Sequence, residues 1–250
     1  MPKLSIIILS WNQKQVLSRC LHSLKPVVCS PDTETIIVDN GSTDNTAAFI
    51  RSSYPNIKLI TNTQNRGVAA ARNQGITAAT GNLILLLDND TVANPEAIEG
   101  MAKFLLSNPK AGVVACRLLN SDGSTQSSIK PYPGLKVKIC NVLGIKLKAS
   151  HFPTDSHGTI YPTYVIGACQ MFRKSITDEI GLLDEKIFYG PEDADFCLRV
   201  AKAGYQVCYL PQFSIEHLHR RATTRRLLSP LARKHISALF YFYRKHNRWF

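Results

Sequence analysis

Three short aliphatic runs, each stopping at a cluster of polar residues, constrain this chain more than any other feature. They are Leu4–Ser10 (LSIIILS), Thr35–Val38 (TIIV) and Asn82–Leu87 (NLILLL). The first two are rich in β-branched residues that favour strands, and all three are too short to be helices of ordinary length. A continuous apolar run implies burial on both faces, which is the environment of a central parallel strand. Parallel neighbours need long crossovers, usually helical. The intervening sequence supplies them. Gln13–Leu24 places Val16, Leu17, Cys20, Leu21 and Leu24 on one helical face. Thr43–Ser53 reads as a helix capped by Ser42 or Thr43. Ile57–Thr61 reads as a short strand, Gly67–Thr80 as an Ala-rich helix, Asn94–Ser107 as a helix with Pro95 in its first turn, and Gly112–Cys116 as another strand. The alternation predicts an α/β fold: an open, mostly parallel sheet flanked by helices.

Residues 120–160 break this rhythm. They are rich in Ser, Lys, Pro and Gly, with Lys130, Lys136, Lys138, Lys146 and Lys148, and read as a long loop or insertion. Regular structure resumes at Tyr164–Arg173. Helices are expected at Lys174–Ile180 and Asp193–Ala203, a strand at Gln206–Leu210, and a basic helical tail over 222–250 interrupted at Pro230. No apolar run approaches the ~20 residues of a spanning helix, and no leader pattern is visible at Met1. The seven cysteines lack metal-ligand spacing and sit mostly in apolar surroundings, so they read as buried free thiols.

The net charge of +12 suggests an anionic partner. It is unevenly placed. Residues 217–250 hold nine Lys and Arg (Arg220, Arg221, Arg225, Arg226, Arg233, Lys234, Arg244, Lys245, Arg248) and no acid. Taking those nine from twelve leaves the rest of the chain at only +3. Three readings of the tail stand open: a helix packed on the body with a solvated basic face, a segment lying on an anionic membrane, or a nucleic-acid binder. No recognition motif supports the last.

In an open parallel sheet, ligands bind at the carboxyl ends of strands. Here those ends read Ser10-Trp11-Asn12, Asp39-Asn40-Gly41-Ser42 and Asp88-Asn89-Asp90. Any one of them would serve as turn or cap sequence. Asp88 and Asp90, one residue apart at the end of a buried strand, repel each other unless a cation lies between them. Mg²⁺ or Mn²⁺ meets that need, since both are held by one or two carboxylates together with substrate phosphates. The alternative is a capping pair ahead of the 94–107 helix. There is no Gly-x-Gly-x-x-Gly after the first strand and no P-loop, which argues against dinucleotide and P-loop nucleotide sites. Asp39 is placed to accept from a ribose hydroxyl or a base edge.

Taken together, Leu4–Trp11, Val38–Thr46 (VDNGSTDNT), Asn65–Asn73 (NRGVAAARN) and Leu85–Thr91 (LLLDNDT) resemble the nucleotide-binding half of family 2 glycosyltransferases of the GT-A fold. Gly167–Phe172 (GACQMF), Phe188–Arg199 (FYGPEDADFCLR), Gly204–Tyr209 and His217 resemble the acceptor half. Within that family the chain looks most similar to bacterial rhamnosyltransferase-type enzymes of surface polysaccharide synthesis. The resemblance implies a catalytic domain over 1–220, with a nucleotide-sugar half (1–117), an acceptor half (118–220) and a basic segment at 221–250. It implies a nucleotide-sugar pocket of Ser10, Asn12, Asp39, Asn40, Gly67, Arg72, Asp88 and Asn89, and a metal held by Asp90 with Asp88 and His217. It implies Asp193 as catalytic base with Glu192 in reserve. Asp195 is expected instead to pair with Arg199, one helical turn away. The implied partners are a dTDP- or UDP-sugar and a glycan or polyprenyl-diphosphate-linked acceptor, met in the cytoplasm on the inner face of the membrane. Two other readings are a sugar-phosphate nucleotidyltransferase and a non-catalytic binding protein. Trp11-Asn12-Gln13-Lys14, where a Gly-rich loop would be needed, disfavours the first; the intact acids disfavour the second.

Overall fold

A computed structural model describes residues 3–28, 30–142, 145, 150–218 and 230–249. The strands are β1 (Leu4–Ser10), β2 (Thr33–Asp39), β3 (Lys58–Thr61), β4 (Leu83–Asp88), β5 (Thr91–Val92), β6 (Ala111–Leu119), β7 (Ile129–Lys130), β8 (Tyr164–Val165), β9 (Cys169–Arg173) and β10 (Gln206–His217). The helices are α1 (Lys14–Val28), α2 (Thr46–Ser53), α3 (Val68–Ala78), α4 (Pro95–Ser107), α5 (Leu135–Val142), α6 (Lys174–Ile180), α7 (Glu192–Lys202) and α8 (Pro230–His246). Eight strands form one sheet in the order β3-β2-β1-β4-β9-β6-β10-β5. The pairs β1–β2, β1–β4, β2–β3 and β6–β10 are parallel; β9 runs antiparallel between β4 and β6, and β5 antiparallel along β10.

The aliphatic runs explain the centre of this sheet. Along β1, Ile6 and Ile8 join a core layer with Leu17, Leu21 and Leu24 of α1 and Met101 and Leu105 of α4. Ile7 points the other way, into a layer with Ile76 of α3, Phe196 of α7 and Phe242 of α8. The period-two alternation therefore feeds two cores, one on each face. Burying each such side chain contributes about 1.5–3 kcal/mol.

Several expectations shift. The expected helix at Thr43 begins instead at Thr46. Side chains of the preceding loop take the backbone groups a helix would use. Asn12 Oδ1 accepts from Thr43 N (2.7 Å), Ser42 Oγ accepts from Asn12 N (2.9 Å), and Asp44 Oδ1 accepts from Thr46 N (3.2 Å). The strand expected over Gln206–Leu210 runs on to His217 through a register shift between Leu210 and Ser214. The 120–160 insertion holds β7 and α5. α8 begins at Pro230; residues 219–229, with Arg220, Arg221, Arg225 and Arg226, lie outside the described residues, as do Lys146, Lys148 and Cys29. Of the described cysteines, Cys20, Cys116, Cys169, Cys197 and Cys208 are buried free thiols and Cys140 is half-buried.

Candidate active site

Register brings the polar strand ends together. Ser10 pairs with Asp39 across β1 and β2, and Leu9 with Asp88 across β1 and β4. Ser10, Asp39, Asn40 and Asn89 are all buried. Ser10 Oγ accepts from Asn89 Nδ2 (3.3 Å), and Asp39 Oδ1 accepts from Ser42 N (3.2 Å). Asn40 is a scaffold residue: its amide donates to Asn65 Oδ1 and Gly67 O, and its Oδ1 accepts from Asn62 Nδ2 and Arg66 N. Asn12 is exposed and left-handed (φ 53°), holding the 42–43 loop. Trp11, to which sequence reasoning gave no separate role, leaves the same edge 49% exposed. An exposed indole directly after a buried strand was the signal for it.

Gly67 sits at φ 87°, and a Cβ there would lie 2.6 Å from Phe188 O. Val68 N also donates to Phe188 O (2.8 Å). Its small size thus serves close packing of α3 on the 188–190 turn.

The continuation of β10 places His217 opposite Thr91 of β5. One ligand atom each of Asp88, Asp90 and His217 lie within 4.8 Å of one another. His217 Nε2 is 3.2 Å from Asp90 Oδ1. Burial alone would lower the His217 imidazole, but the hydrogen bond and charge of Asp90 outweigh it and hold its pKa above the ordinary value. Burial raises Asp88, against the nearby Arg72 guanidinium. Two carboxylates and an imidazole form a donor set that suits Mn²⁺ or Mg²⁺.

Gln126, in the loop before β7, orients this cluster and was not visible in the sequence. Its Nε2 donates to His217 O (2.6 Å) and Asn120 Oδ1 (2.8 Å), so its Oε1 faces His217 Nδ1 (2.8 Å). Nδ1–H therefore donates to Gln126, and Nε2 is the nitrogen turned to Asp90. Ligating histidines are commonly fixed in this way. Gln126→Leu is expected to weaken Mn²⁺ binding by about 10–100-fold with folding intact. Calorimetric titration of the variant with Mn²⁺ checks this.

Arg72, on α3, joins the cluster to the acidic pair on α7. Its buried guanidinium contacts Asp88 Oδ1 (2.6 Å), Glu192 Oε1 (3.4 Å) and Gly167 O (2.8 Å). Glu192 is buried, and its Oε2 has no hydrogen-bond partner. Burial, with the charge of Asp193, pushes Glu192 up to about 7 despite Arg72. Asp193 is half-buried; Oδ1 accepts from Ala194 N (2.7 Å) and Oδ2 from Gly167 N (3.1 Å). Burial raises Asp193 too, against those backbone donors. Lys138 of α5 lies close enough for Asp193 to favour its charged form, while burial depresses it.

Behind α7, Asp195 is fully buried and meets Arg199 Nε (2.8 Å), Lys245 Nζ (2.7 Å) and His246 Nε2 (2.9 Å). The expected Asp195–Arg199 pair is therefore present, with a lysine and a histidine of α8 added. Burial would raise Asp195, but those hydrogen bonds and charges outweigh it and hold it at about 2. A folded pKa below the ordinary 3.8 means stability present above pH ~4 and lost as pH falls toward 2. Asp195→Asn is expected to cost about 2 kcal/mol at pH 7, a gap that closes on acidification. Denaturant melts at pH 7 and pH 3 measure it. α8 also holds the turn before the acidic pair: His235 Nδ1 lies 2.9 Å from Gly190 O and 3.1 Å from Tyr189 O, and Lys234 Nζ lies 3.5 Å from the Phe188 ring centre.

The mostly parallel sheet flanked by helices is the GT-A fold of glycosyltransferases, and on it Arg72 joins the Asp-x-Asp and His cluster to the acidic pair of α7. The model for "Glycosyl transferase family 2" matches residues 5–181, and the chain belongs to that family. It is 26% identical over 270 residues to the N-acetylglucosaminyl-diphospho-decaprenol L-rhamnosyltransferase of Mycobacterium tuberculosis, covering 98% of this chain and 86% of that protein. The poly-beta-1,6-N-acetyl-D-glucosamine synthase of Staphylococcus epidermidis is 26% identical over 212 residues, 84% of this chain and 48% of that one. In fold it is similar to the mannosyltransferase PcManGT of Pyrobaculum calidifontis, solved with GDP-Man and Mn2+ (TM-score 0.64, 19% identity, 89% of this chain, 59% of that one).

Proposed function

We propose that this glycosyltransferase is inverting and metal-dependent, moving a sugar from a dTDP- or UDP-sugar to a polyprenyl-diphosphate-linked glycan in surface polysaccharide synthesis. Rhamnose is the favoured sugar. The observation carrying this reading is the Arg72 bridge, which ties the Asp88–Asp90–His217 cluster to Glu192–Asp193. In this reading the bridge sets a donor-side cation site beside an acceptor-side base. The mycobacterial relative, named for a lipid-diphosphate acceptor and a rhamnosyl donor, supports the substrate classes.

In this reading residues 1–117 bind the donor, residues 118–220 the acceptor, and the 221–250 segment attaches the enzyme to the cytoplasmic face of the membrane. No helix among the described residues is long and apolar enough to cross a bilayer. Ser10, Asn12, Asp39, Asn40, Gly67, Arg72, Asp88 and Asn89 form or support the nucleotide-sugar pocket, and Trp11 offers an exposed ring face to the base. Asp90, Asp88 and His217 would hold Mg²⁺ or Mn²⁺, which when bound neutralises charge on the diphosphate. Asp193 takes the proton of the acceptor hydroxyl. The hydroxyl oxygen bonds to the anomeric carbon from the face opposite the diphosphate, and the carbon–oxygen bond to phosphate breaks with its electron pair. One displacement inverts the centre, and the proton passes from Asp193 to solvent. Glu192, tied to Arg72, orients this side of the cleft.

The test is donor hydrolysis across a panel of dTDP-, UDP- and GDP-sugars, with and without Mn²⁺. It is followed by transfer to a polyprenyl-diphosphate N-acetylglucosamine and NMR of the new linkage. A metal-stimulated dTDP- or UDP-sugar reaction with inversion is expected. Metal-independent turnover, or a retained anomeric configuration, would overturn the reading.

A further inference from the structure

α8 has two faces. The inner face carries Ala238, Leu239, Phe242 and Tyr243 into the core, and His235, Lys245 and His246 onto the turn and helix bearing the acidic pair. On the outer face stand Arg233, Ile236, Ser237, Phe240 and Arg244, spaced i, i+3, i+4, i+7 and i+11. All five are exposed, Ile236 by 48% and Phe240 by 53%. The Phe240 ring lies 6.0 Å from Trp249, whose carbonyl accepts from Leu135 N (2.7 Å) at the start of α5. α5 in turn exposes Lys136 and Ile139.

A single exposed aliphatic is ordinary. Two large apolar residues in one row between two arginines, on a segment without any acid, are not. An aqueous protein partner would have to supply the carboxylates. A bilayer supplies both requirements at once: anionic headgroups for Arg233 and Arg244, and an acyl boundary for Ile236 and Phe240. We propose that the outer face of α8, with Ile236 and Phe240 inserted and Arg233 and Arg244 on phosphate, docks the enzyme on an anionic lipid bilayer. The proposal rests on the membrane-attachment reading above and gives it a surface. The helix that touches lipid is then the same helix that holds the 188–195 segment, so docking presents the acidic pair beside the membrane from which a lipid-linked acceptor arrives.

Full-length protein is sedimented with phosphatidylglycerol/phosphatidylcholine vesicles and with phosphatidylcholine vesicles alone. Binding to the anionic vesicles, weakened by salt, is expected. Ile236→Ser/Phe240→Ser should lower partitioning about tenfold or more, and Arg233→Gln/Arg244→Gln about tenfold with loss of salt sensitivity. Donor hydrolysis in vesicle-free solution should stay at the wild-type rate in both, which separates failure of this surface from failure of the active-site reading. Wild-type-like vesicle binding by both double variants would overturn the proposal, as contact would then lie elsewhere. So would no binding by the wild type, or a dimer in light scattering that the Ile236→Ser/Phe240→Ser variant dissolves.

Discussion

Asp193→Asn is expected to lower kcat for transfer about a thousandfold while leaving donor KM and Mn²⁺ binding near wild type. A sugar hydroxyl is a poor nucleophile, and its proton must leave as attack proceeds. Asp193 is half-buried at the head of α7, anchored by Ala194 N and Gly167 N. An amide at this position still accepts from a backbone N–H but takes up no proton. The proposed donor side is untouched, because Asp88, Asp90 and His217 stand on β4, the β4–β5 connection and β10. Steady-state kinetics against donor and acceptor make the comparison. Glu192→Gln is the paired control: its Oε1 faces Arg72, so its loss should disturb both substrates rather than kcat alone. If Asp193→Asn turns over normally and Glu192→Gln does not, the two roles are exchanged.

Asp90→Ala should abolish metal-stimulated transfer, a loss of about a thousandfold or more, without unfolding the protein. The Asp90 main-chain carbonyl accepts from Leu218 N (2.8 Å), so the strand-end geometry survives loss of the carboxylate. His217 loses the group that raises its pKa and becomes easier to deprotonate. Mn²⁺ should then no longer raise the melting temperature, and chelation should no longer lower activity. Asp88→Asn is predicted to behave differently. It also removes the charged 2.6 Å partner of a buried guanidinium, so thermal stability should fall along with activity. Measuring activity and thermal stability together distinguishes a lost ligand from a lost support.

Much of this was legible because aliphatic runs and strand-end acids are local signals. LSIIILS, TIIV and NLILLL lie in central strands, and Asp39 and Asp88 close two of them. The Glu192–Asp193 pair begins α7, where the helix N-terminus favours anions. Local patterns do not show long-range contacts, even for residues that the family resemblance names. His217 belongs to the cluster only because β10 continues beyond Leu210 and meets β5. Gln126 lies 91 residues from the histidine it orients. Arg72, placed in the nucleotide-sugar pocket by the resemblance, reads locally as one polar residue in an Ala-rich helix; its link to Glu192 spans 120 residues. The inner face of α8 was hidden by its charge, since Lys245 reads as part of a basic tail until Asp195 is seen beneath it.

Gly167 carries a consequence for how such an enzyme diverges. Its N–H holds Asp193 and its C=O holds Arg72, and a Cβ there would strike Arg72 Nη1 at 2.4 Å. The gap between Asp193, the proposed proton acceptor, and the arginine that reaches Asp88 is therefore gauged by the bonds of one residue. Covalent geometry varies far less than side-chain packing. Variation in the 42–45 and 62–66 loops leaves this gauge, and with it the spacing of Asp193 from Arg72, in place. Position 167 itself has less latitude: a side chain there would have to displace the buried Arg72 guanidinium.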